Sequence, residues 1–296
     1  MDEIDFYLKD LESRFPKDRE NYYLSYSGGK DSHFLYWFIK EYLHDDKIEI
    51  VALNTYMEHP EIKERMYKYA DRVLLPEIKP FDMKKKWGIP CFSKMQDEFI
   101  HRYQLGCRSE SLMKRINPRT FIGSDGKEYK SAYCISNKAR RLLLGENGEI
   151  LHKVSDKCCY ELKKKPFRKF ERKYKKKPIL GIRSSESFER RMKYKSCFTK
   201  SGKFIPLYDL SDEMLDKIYK RYNIEIPKIY QYINKTGCFG CPYGSWKHHT
   251  EKELKLLSQN QYKFVVNLFH ESYDVLGIDY DKSVLNIEKE DNNESD

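Results

Sequence analysis

The feature that most constrains the fold of this 296-residue chain is the hexapeptide SGGKDS at residues 27–32. It follows an apolar run at 22–26 that reads as a strand, and it precedes residues 31–43, whose apolar positions have helical spacing. A glycine pair at such a junction lets the backbone turn tightly and present N–H groups to an anion. The positive end of the helix dipole adds to that attraction. The hexapeptide therefore predicts a βα unit with an anion site at its turn, and an ordinary tight turn is the alternative.

The loop offers a cation, hydroxyls and backbone amides. Lys30 is the mobile cation, and the spacing of a Walker A loop is absent. The candidate binding residues of the loop are Ser27, Gly28, Gly29, Lys30 and Ser32.

Strands alternate with helices along much of the chain, which is typical of parallel βαβ units with right-handed crossovers. Further strands are predicted at 48–53, 72–75 and 178–182, and further helices at 4–15, 60–70, 251–273, after residue 182, and from an N-cap at Ser211 to Tyr222. Residues 90–160 are less periodic and are predicted to be mostly helical, with turns at 123–126 and 145–148. The predicted fold class is α/β, a parallel-sheet domain with helical middle and C-terminal segments.

The chain is long enough for one large domain or two small ones. The predicted segments are a leading helix at 1–20, a nucleotide-binding domain at 21–245 that includes the cysteine motifs, a helical segment at 246–286, and a frayed acidic tail at 287–296.

Charge and hydropathy limit the partners. A net charge of +10 favours polyanions such as nucleotides or nucleic acid. The longest apolar run, residues 34–39, is too short to cross a bilayer, and the acidic N-terminus lacks the regions of a signal peptide. These features predict a soluble cytoplasmic protein without a membrane partner, in which clustered cysteines are metal ligands or reactive thiols rather than disulfides.

Four of the eight cysteines form two close pairs, Cys158 with Cys159 and Cys238 with Cys241. The Cys-x-x-Cys pair alone is compatible with half of a zinc site or with a redox dithiol. Adjacent cysteines chelate one tetrahedral zinc poorly, whereas a cubane cluster offers each thiolate its own iron. The four cysteines therefore favour a [4Fe–4S] cluster, with zinc as the alternative.

The other four cysteines are expected to be small core residues by default, namely Cys91, Cys107, Cys134 and Cys197. Cys107 is the best exception, because its surroundings are polar and loop-like.

A basic stretch at 163–177 contains ten Lys or Arg residues and one acid. Phe167, Phe170 and Tyr174 interleave at helical spacing. One interpretation is an amphipathic helix with an inward aromatic stripe and solvated cations. The other is a track for a nucleic-acid backbone, and the two are compatible.

Residues 27–32 resemble the pyrophosphate-binding loop (PP-loop) of the adenine-nucleotide α-hydrolase superfamily, which includes ATP pyrophosphatases and phosphoadenosine phosphosulfate (PAPS) reductases. Residues 54–60 are similar to the segment that borders the nucleotide in PAPS reductases, and residues 181–187 resemble their Gly-x-Arg segment at the phosphate or sulfate end. The resemblance implies further nucleotide contacts at Asn54, Thr55, Gly181, Arg183, Glu186, Ser187 and Arg190. The alternative for the two arginines is that they are surface cations.

The cysteine pairs resemble the Cys-Cys…Cys-x-x-Cys arrangement of iron–sulfur adenylyl-sulfate (APS) reductases, with Lys163 and Pro166 in matching positions. This resemblance implies a cluster on Cys158, Cys159, Cys238 and Cys241. The reductases also carry a nucleophilic cysteine near the C-terminus, whereas this chain has none after Cys241. A reductase would need Cys107 or Cys197 as a substitute.

PP-loop sulfurtransferases need no such C-terminal cysteine. Resemblance to them implies that an acceptor oxygen attacks the α-phosphate of ATP and that sulfur then displaces AMP. In that reading, Lys30 stabilises the leaving pyrophosphate and Asp31 orients Lys30 or holds Mg²⁺. Residues 106–114 resemble a Cys…Lys segment of those enzymes, which implies that Cys107 carries sulfur.

The expected function is an ATP-dependent iron–sulfur sulfurtransferase acting on nucleic acid bound through 163–177, with a sulfur or electron donor protein as a further partner. The alternatives are a PAPS or APS reductase with an atypical thiol, and a non-catalytic nucleotide sensor or nucleic-acid-binding protein with structural zinc.

Overall fold

The computed structural model describes residues 2–117, 120–130, 134–145, 150–186, 188–245 and 249–285. Ser187, most of the predicted turn at 145–148 and the predicted tail at 287–296 lie outside these residues. The chain forms two compact units, which are Met1–Glu77 with Glu161–Cys238, called the loop unit below, and Ile78–Tyr160 with Phe239–Asp296, called the second unit. The predicted nucleotide-binding domain is one continuous segment, 21–245. In the structure, residues 78–160 of that segment belong instead to the unit that contains the C-terminal residues.

The described strands are β1 (Tyr22–Tyr26), β2 (Glu49–Leu53), β3 (Arg72–Leu74), β4 (Thr120–Ile122), β5 (Glu128–Lys130) and β6 (Lys177–Ile179). The described α-helices are α1 (Glu3–Arg14), α2 (Lys30–Trp37), α3 (Pro60–Tyr69), α4 (Pro80–Trp87), α5 (Lys94–Gln104), α6 (Glu110–Ile116), α7 (Asn137–Leu143), α8 (Lys157–Cys159), α9 (Lys165–Tyr174), α10 (Phe188–Lys193), α11 (Asp212–Arg221), α12 (His249–Leu254) and α13 (Gln259–Leu276).

The loop unit is built on a four-stranded sheet in the order β3-β2-β1-β6, in which every pair is parallel. Leu24 of β1 lies opposite Ile50 of β2 and Ile179 of β6. The predicted α/β class with a parallel sheet is confirmed. The two central strands, β1 and β2, are buried along most of their length, as expected where a parallel sheet is covered on both faces, whereas β3 at the edge is partly exposed.

The two faces of this sheet use alternate residues of each strand. Leu24 and Ile50 point into the main core, where helices α1, α2 and α11 contribute Leu11, Phe34 and Leu215. Tyr23 and Val51 point to the other face, where they meet Phe170 of α9. This alternation follows from the two-residue period of a strand.

The helix signals of this unit agree with the structure. Ser211 caps α11 by accepting a hydrogen bond from the backbone N–H of Met214 at 3.1 Å. Predicted helix 31–43 is α2 continued by a π-helical turn, Phe38–Tyr42.

The second unit is mainly helical around its own core, which includes Cys91, Ile100, Leu143, Val154 and Val275. The predicted closing region at 251–273 is two helices, α12 and α13, and α13 begins with a capping box at Ser258 and ends at Gly277.

The helical prediction for 90–160 is wrong at 120–130, where β4 and β5 form an antiparallel hairpin. The turn signal at 123–126 is its connection, closed by a hydrogen bond from the Gly126 N–H to the Gly123 carbonyl. Among the described residues, no helix is both long and apolar enough to span a membrane.

Candidate functional site

The loop at residues 27–32, called the phosphate loop below after its predicted ligand, joins β1 to α2, and its own hydroxyl groups form hydrogen bonds across it. Gly28 has φ +72°, and a Cβ there would stand 2.9 Å from the Ile62 carbonyl oxygen, so the position requires glycine. Ser32 Oγ accepts from the Ser27 N–H at 3.2 Å and donates to the Gly29 carbonyl at 3.0 Å. The two serine hydroxyls lie 3.0 Å apart. The serines therefore fix the turn that carries the backbone donors.

Lys30 begins α2 and is held from three directions. Its backbone N–H donates to the Tyr230 hydroxyl at 3.0 Å, and the Tyr219 hydroxyl donates to its carbonyl oxygen at 2.6 Å. Its ammonium forms an ion pair with Asp216 of α11. The sequence predicted Lys30 but gave no indication of these three partners, which lie far along the chain.

A cavity of about 830 Å³ opens beside the loop, where β1 and β6 end. The chain leaves β1 for β2 on one side and has β6 on the other, so this is a topological switch point, the usual ligand site of an open α/β sheet. Gly181 lets the chain after β6 pass close to α2, because a Cβ there would lie 3.0 Å from the backbone of Asp31 and Ser32.

Arg183 is the central charge of this cavity and is only 6% exposed. Its Nε donates to Asp31 at 2.6 Å and its Nη1 donates to Asp212 at 2.6 Å. Burial opposes its charge, but the two carboxylates overcome that effect and raise the pKa of Arg183. Burial also raises the pKa of Asp31, against the attraction of Arg183. The buried position rules out the surface-cation alternative for Arg183.

Glu186 and Arg190 extend the same wall. Glu186 accepts the Arg183 backbone N–H at 3.1 Å and forms an ion pair with Arg190. The structure thus brings most of the predicted 181–190 segment to the loop, while Ser187 is outside the described residues.

Asn54 and Thr55 follow β2 and are buried. The Asn54 amide donates to the Tyr67 hydroxyl at 3.1 Å and accepts from the Tyr56 N–H at 2.8 Å. Thr55 donates to Glu58 from its N–H at 2.9 Å and from its hydroxyl at 2.6 Å. Thr55 and Glu58 line a smaller cavity of about 120 Å³ that also reaches Ser27. Their polar groups are thus fixed by local partners beside the loop.

The four predicted cluster ligands divide between the units. Cys238 ends the loop unit, with its Sγ 3.5 Å from the Thr55 hydroxyl, and the other three cysteines belong to the second unit. The N–H of Gly240, which precedes Cys241, donates to Glu253 at 2.8 Å. Within the described residues, no group of three or more His, Cys, Asp or Glu side chains is arranged to hold a metal ion. The ligand set stays a prediction from sequence, and no chemical step below passes through a cluster.

Cys107 lies in the second unit, in the loop after α5. Hydrogen bonds with Ser109 lower the pKa of its thiol, and Arg102 adds to this effect. A lowered pKa favours the reactive thiolate. Burial raises the pKa of Cys197 and of Cys91, and Cys91 is fully buried in the core as expected.

Most of the basic stretch forms α9, where Phe167 and Phe170 face inward as predicted, whereas Tyr174 is 38% exposed. Phe167 stacks on Tyr23 with ring centroids 6.0 Å apart, and Phe170 meets the same ring edge-on at 4.9 Å. Arg168 and Arg172 are exposed. The amphipathic interpretation is confirmed, and the nucleic-acid interpretation stays a prediction.

No family model matches this chain, and no curated protein matches it. Among solved structures, it is similar to the phosphoadenylyl-sulfate (PAPS) reductase of Candida auris in a phosphate complex, with 12% identity, a TM-score of 0.41, and coverage of 80% of this chain and 88% of that one. It is also similar to the U34-tRNA thiolase NcsA of Methanococcus maripaludis with its [4Fe–4S] cluster, with 12% identity, a TM-score of 0.35, and coverage of 94% and 80%.

Proposed function

We propose that this protein is an ATP-dependent sulfurtransferase that adenylates an oxygen of an acceptor and then replaces it with sulfur. The observation that supports this most is the cavity of about 830 Å³, into which the phosphate loop, Lys30 and Arg183 all open. Cavities of roughly 300–1,000 Å³ commonly hold small ligands and cofactors. The site therefore has the size and the cations for a nucleoside triphosphate.

The loop acts on the leaving group. An acceptor oxygen attacks the α-phosphorus, the bond to the bridging oxygen breaks, and pyrophosphate departs with the developing negative charge. Loop N–H groups and the ammonium of Lys30 stabilise that charge once Lys30 exchanges Asp216 for phosphate. Hydrosulfide delivered by a donor protein then attacks the adenylated carbon. A carbon–sulfur bond forms, the sulfur loses its proton, and AMP leaves with the electrons of the carbon–oxygen bond.

Asp31 acts through Arg183 in this proposal. Its carboxylate is already bonded to the guanidinium, so it holds Arg183 toward the cavity rather than orienting Lys30. Mg²⁺ would enter as a counterion of the triphosphate.

The proposed acceptor is a nucleic acid docked on α9. Arg168 and Arg172 are exposed on that helix, and the net charge of the chain is +10. Cations spaced along an exposed helix attract a phosphate backbone through release of its counterions.

A [4Fe–4S] cluster on the four predicted cysteines and a sulfur-carrying Cys107 are expectations from the sequence alone, and no step above passes through either. Cys159→Ala should therefore remove iron and the visible absorbance of a thiolate-ligated cluster from anaerobically purified protein. Cys134→Ala, outside the predicted ligand set, is the control and should keep both. Equal iron content and absorbance in the two variants would show that the ligand assignment is wrong.

The experiment that tests the proposal is pyrophosphate release from Mg-ATP by anaerobically purified protein, with and without tRNA or DNA. Release stimulated by one nucleic acid supports ATP-driven activation and identifies the acceptor class. No release under any condition contradicts the proposal. PAPS and APS would then be the nucleotides to assay, and Cys107 and Cys197 the thiols to trap.

A further inference from the structure

Most residues of the segment 226–236 line the large cavity, together with the predicted Gly-x-Arg segment. Their short 3₁₀ turn, Lys228–Gln231, is anchored at its start by Glu61 of α3, whose carboxylate accepts the N–H groups of Lys228 at 2.7 Å and Ile229 at 3.0 Å. Arg65 of the same helix donates to the Glu225 carbonyl at 3.1 Å. This segment is therefore fixed against the helix that follows β2.

The segment brings two hydroxyl groups to the phosphate loop. A Cβ at Gly29 would lie 2.8 Å from the Tyr230 hydroxyl, 3.0 Å from Thr236 Oγ1 and 3.5 Å from Ser27 Oγ. A hydroxyl oxygen of the loop and two from a segment about 200 residues further along the chain thus lie near one point beside Gly29. Tyr230 and Thr236 also contact each other at 3.2 Å, and Tyr230 accepts the Lys30 N–H.

We infer that Tyr230 and Thr236 complete the phosphate site and donate hydrogen bonds to a phosphate group of the bound nucleotide, an inference that rests on the proposed function. A hydroxyl group both donates and accepts. With the loop as described, Tyr230 satisfies the Lys30 N–H as an acceptor. A phosphate oxygen can take over that role, and the hydroxyl then turns its own hydrogen to the anion.

The surroundings of Tyr230 suit a donor. Burial raises the pKa of its hydroxyl, although Thr236 and the Lys30 N–H oppose that rise. The group therefore keeps its proton at neutral pH. Tyr232, two residues further on, is 63% exposed and provides a matched control within the same segment.

The test measures binding of ATP and of adenosine to the full-length protein by calorimetry. Adenosine lacks phosphates, so the ratio of the two affinities reports the phosphate site, whereas a general loss of folding lowers both. Loss of a hydrogen bond to a charged ligand should weaken ATP binding about tenfold in Tyr230→Phe and leave adenosine unchanged. Thr236→Val should act in the same direction, and Tyr232→Phe should change neither affinity.

Two other results overturn the inference alone. Equal changes in ATP and adenosine affinity in Tyr230→Phe would show that Tyr230 has a structural role. Unchanged or tighter ATP binding would show that its hydroxyl does not contact the phosphate or competes with it for the Lys30 N–H. A different result removes the proposed function as well. That result is wild-type protein binding ATP no more tightly than adenosine, because the loop would then hold no phosphate.

Discussion

The phosphate-loop cavity and helix α9 are two cation-rich regions of the same unit, and they hold their charges differently. Arg183 in the cavity is 6% exposed and bonded to Asp31 and Asp212. Arg168 and Arg172 on α9 are exposed, and only the aromatic side of that helix is buried. Charges fixed in a partly buried site act far more strongly than solvated ones. The number of cations in a region therefore predicts how strongly it attracts an anion. Whether those cations are held in place by hydrogen bonds predicts whether they can stabilise charge in a reaction.

Lys30→Ala should produce the largest effect. Removing a cation that stabilises a leaving group should lower pyrophosphate release by about 10²–10³-fold. The fold should persist, because the ammonium of Lys30 is paired with Asp216, whose side chain is 52% exposed. Lys173→Ala on α9 is the matched control and should keep full turnover at saturating nucleic acid, because that lysine would affect docking rather than the chemical step. If both variants lose the same pyrophosphate-release activity, the way in which the cations are held does not distinguish the cavity from α9.

Arg183→Ala against Arg172→Ala compares one arginine from each region by urea unfolding. Loss of Arg183 leaves Asp31 without its buried partner and should lower the free energy of unfolding by roughly 2–3 kcal/mol, less than a fully buried pair because Asp212 is 68% exposed. Arg172→Ala should stay within about 0.5 kcal/mol of wild type.

The stability of Arg183→Ala should also depend on pH with a definite sign. Burial already raises the pKa of Asp31 in the folded protein, and loss of Arg183 raises it further. A carboxyl with a raised folded-state pKa stabilises the fold at low pH and loses that contribution as pH rises through its pKa. The deficit should therefore be larger at neutral pH than in mild acid. The same loss of stability at both pH values would contradict the claim that Asp31 is the carboxylate left unpaired by the substitution.

The smallest effect is expected for Arg168→Ala combined with Arg172→Ala. This variant should lower the salt dependence of nucleic-acid binding by about two units of slope and leave ATP affinity unchanged. Glu110→Ala in the second unit is a surface control. An unchanged slope would exclude α9 as the docking surface.

Sequence reasoning worked best where local signals set the structure. The glycine pair after an apolar run predicted β1, the loop and the start of α2, and Ser211 predicted the first residue of α11. It failed at the hairpin of β4 and β5, where a few alternating residues around Gly126 outweighed the helical expectation.

The missing parts of the site come from long-range contacts. Tyr230 is separated from Lys30 by 200 positions, and no residue spacing marks its approach. Asp216 likewise reads as an ordinary surface acid on α11 until the fold places it on Lys30. The cysteine pairs show the reverse, because their spacing is a clear signal in sequence while no metal-holding group is found among the described residues.

Helix α11 carries Asp212 and Asp216 one turn apart, and each neutralises one cation of the cavity, Arg183 and Lys30 respectively. If the cavity binds a nucleotide as proposed, binding exchanges these ion pairs for pairs with phosphate, rather than capturing the anion on bare cations. An anion with one negative charge can replace one carboxylate and forfeits an ion pair in doing so. In that case a polyanion can replace both carboxylates at once, and we expect α11 to favour multiply charged ligands over chloride or a simple carboxylate.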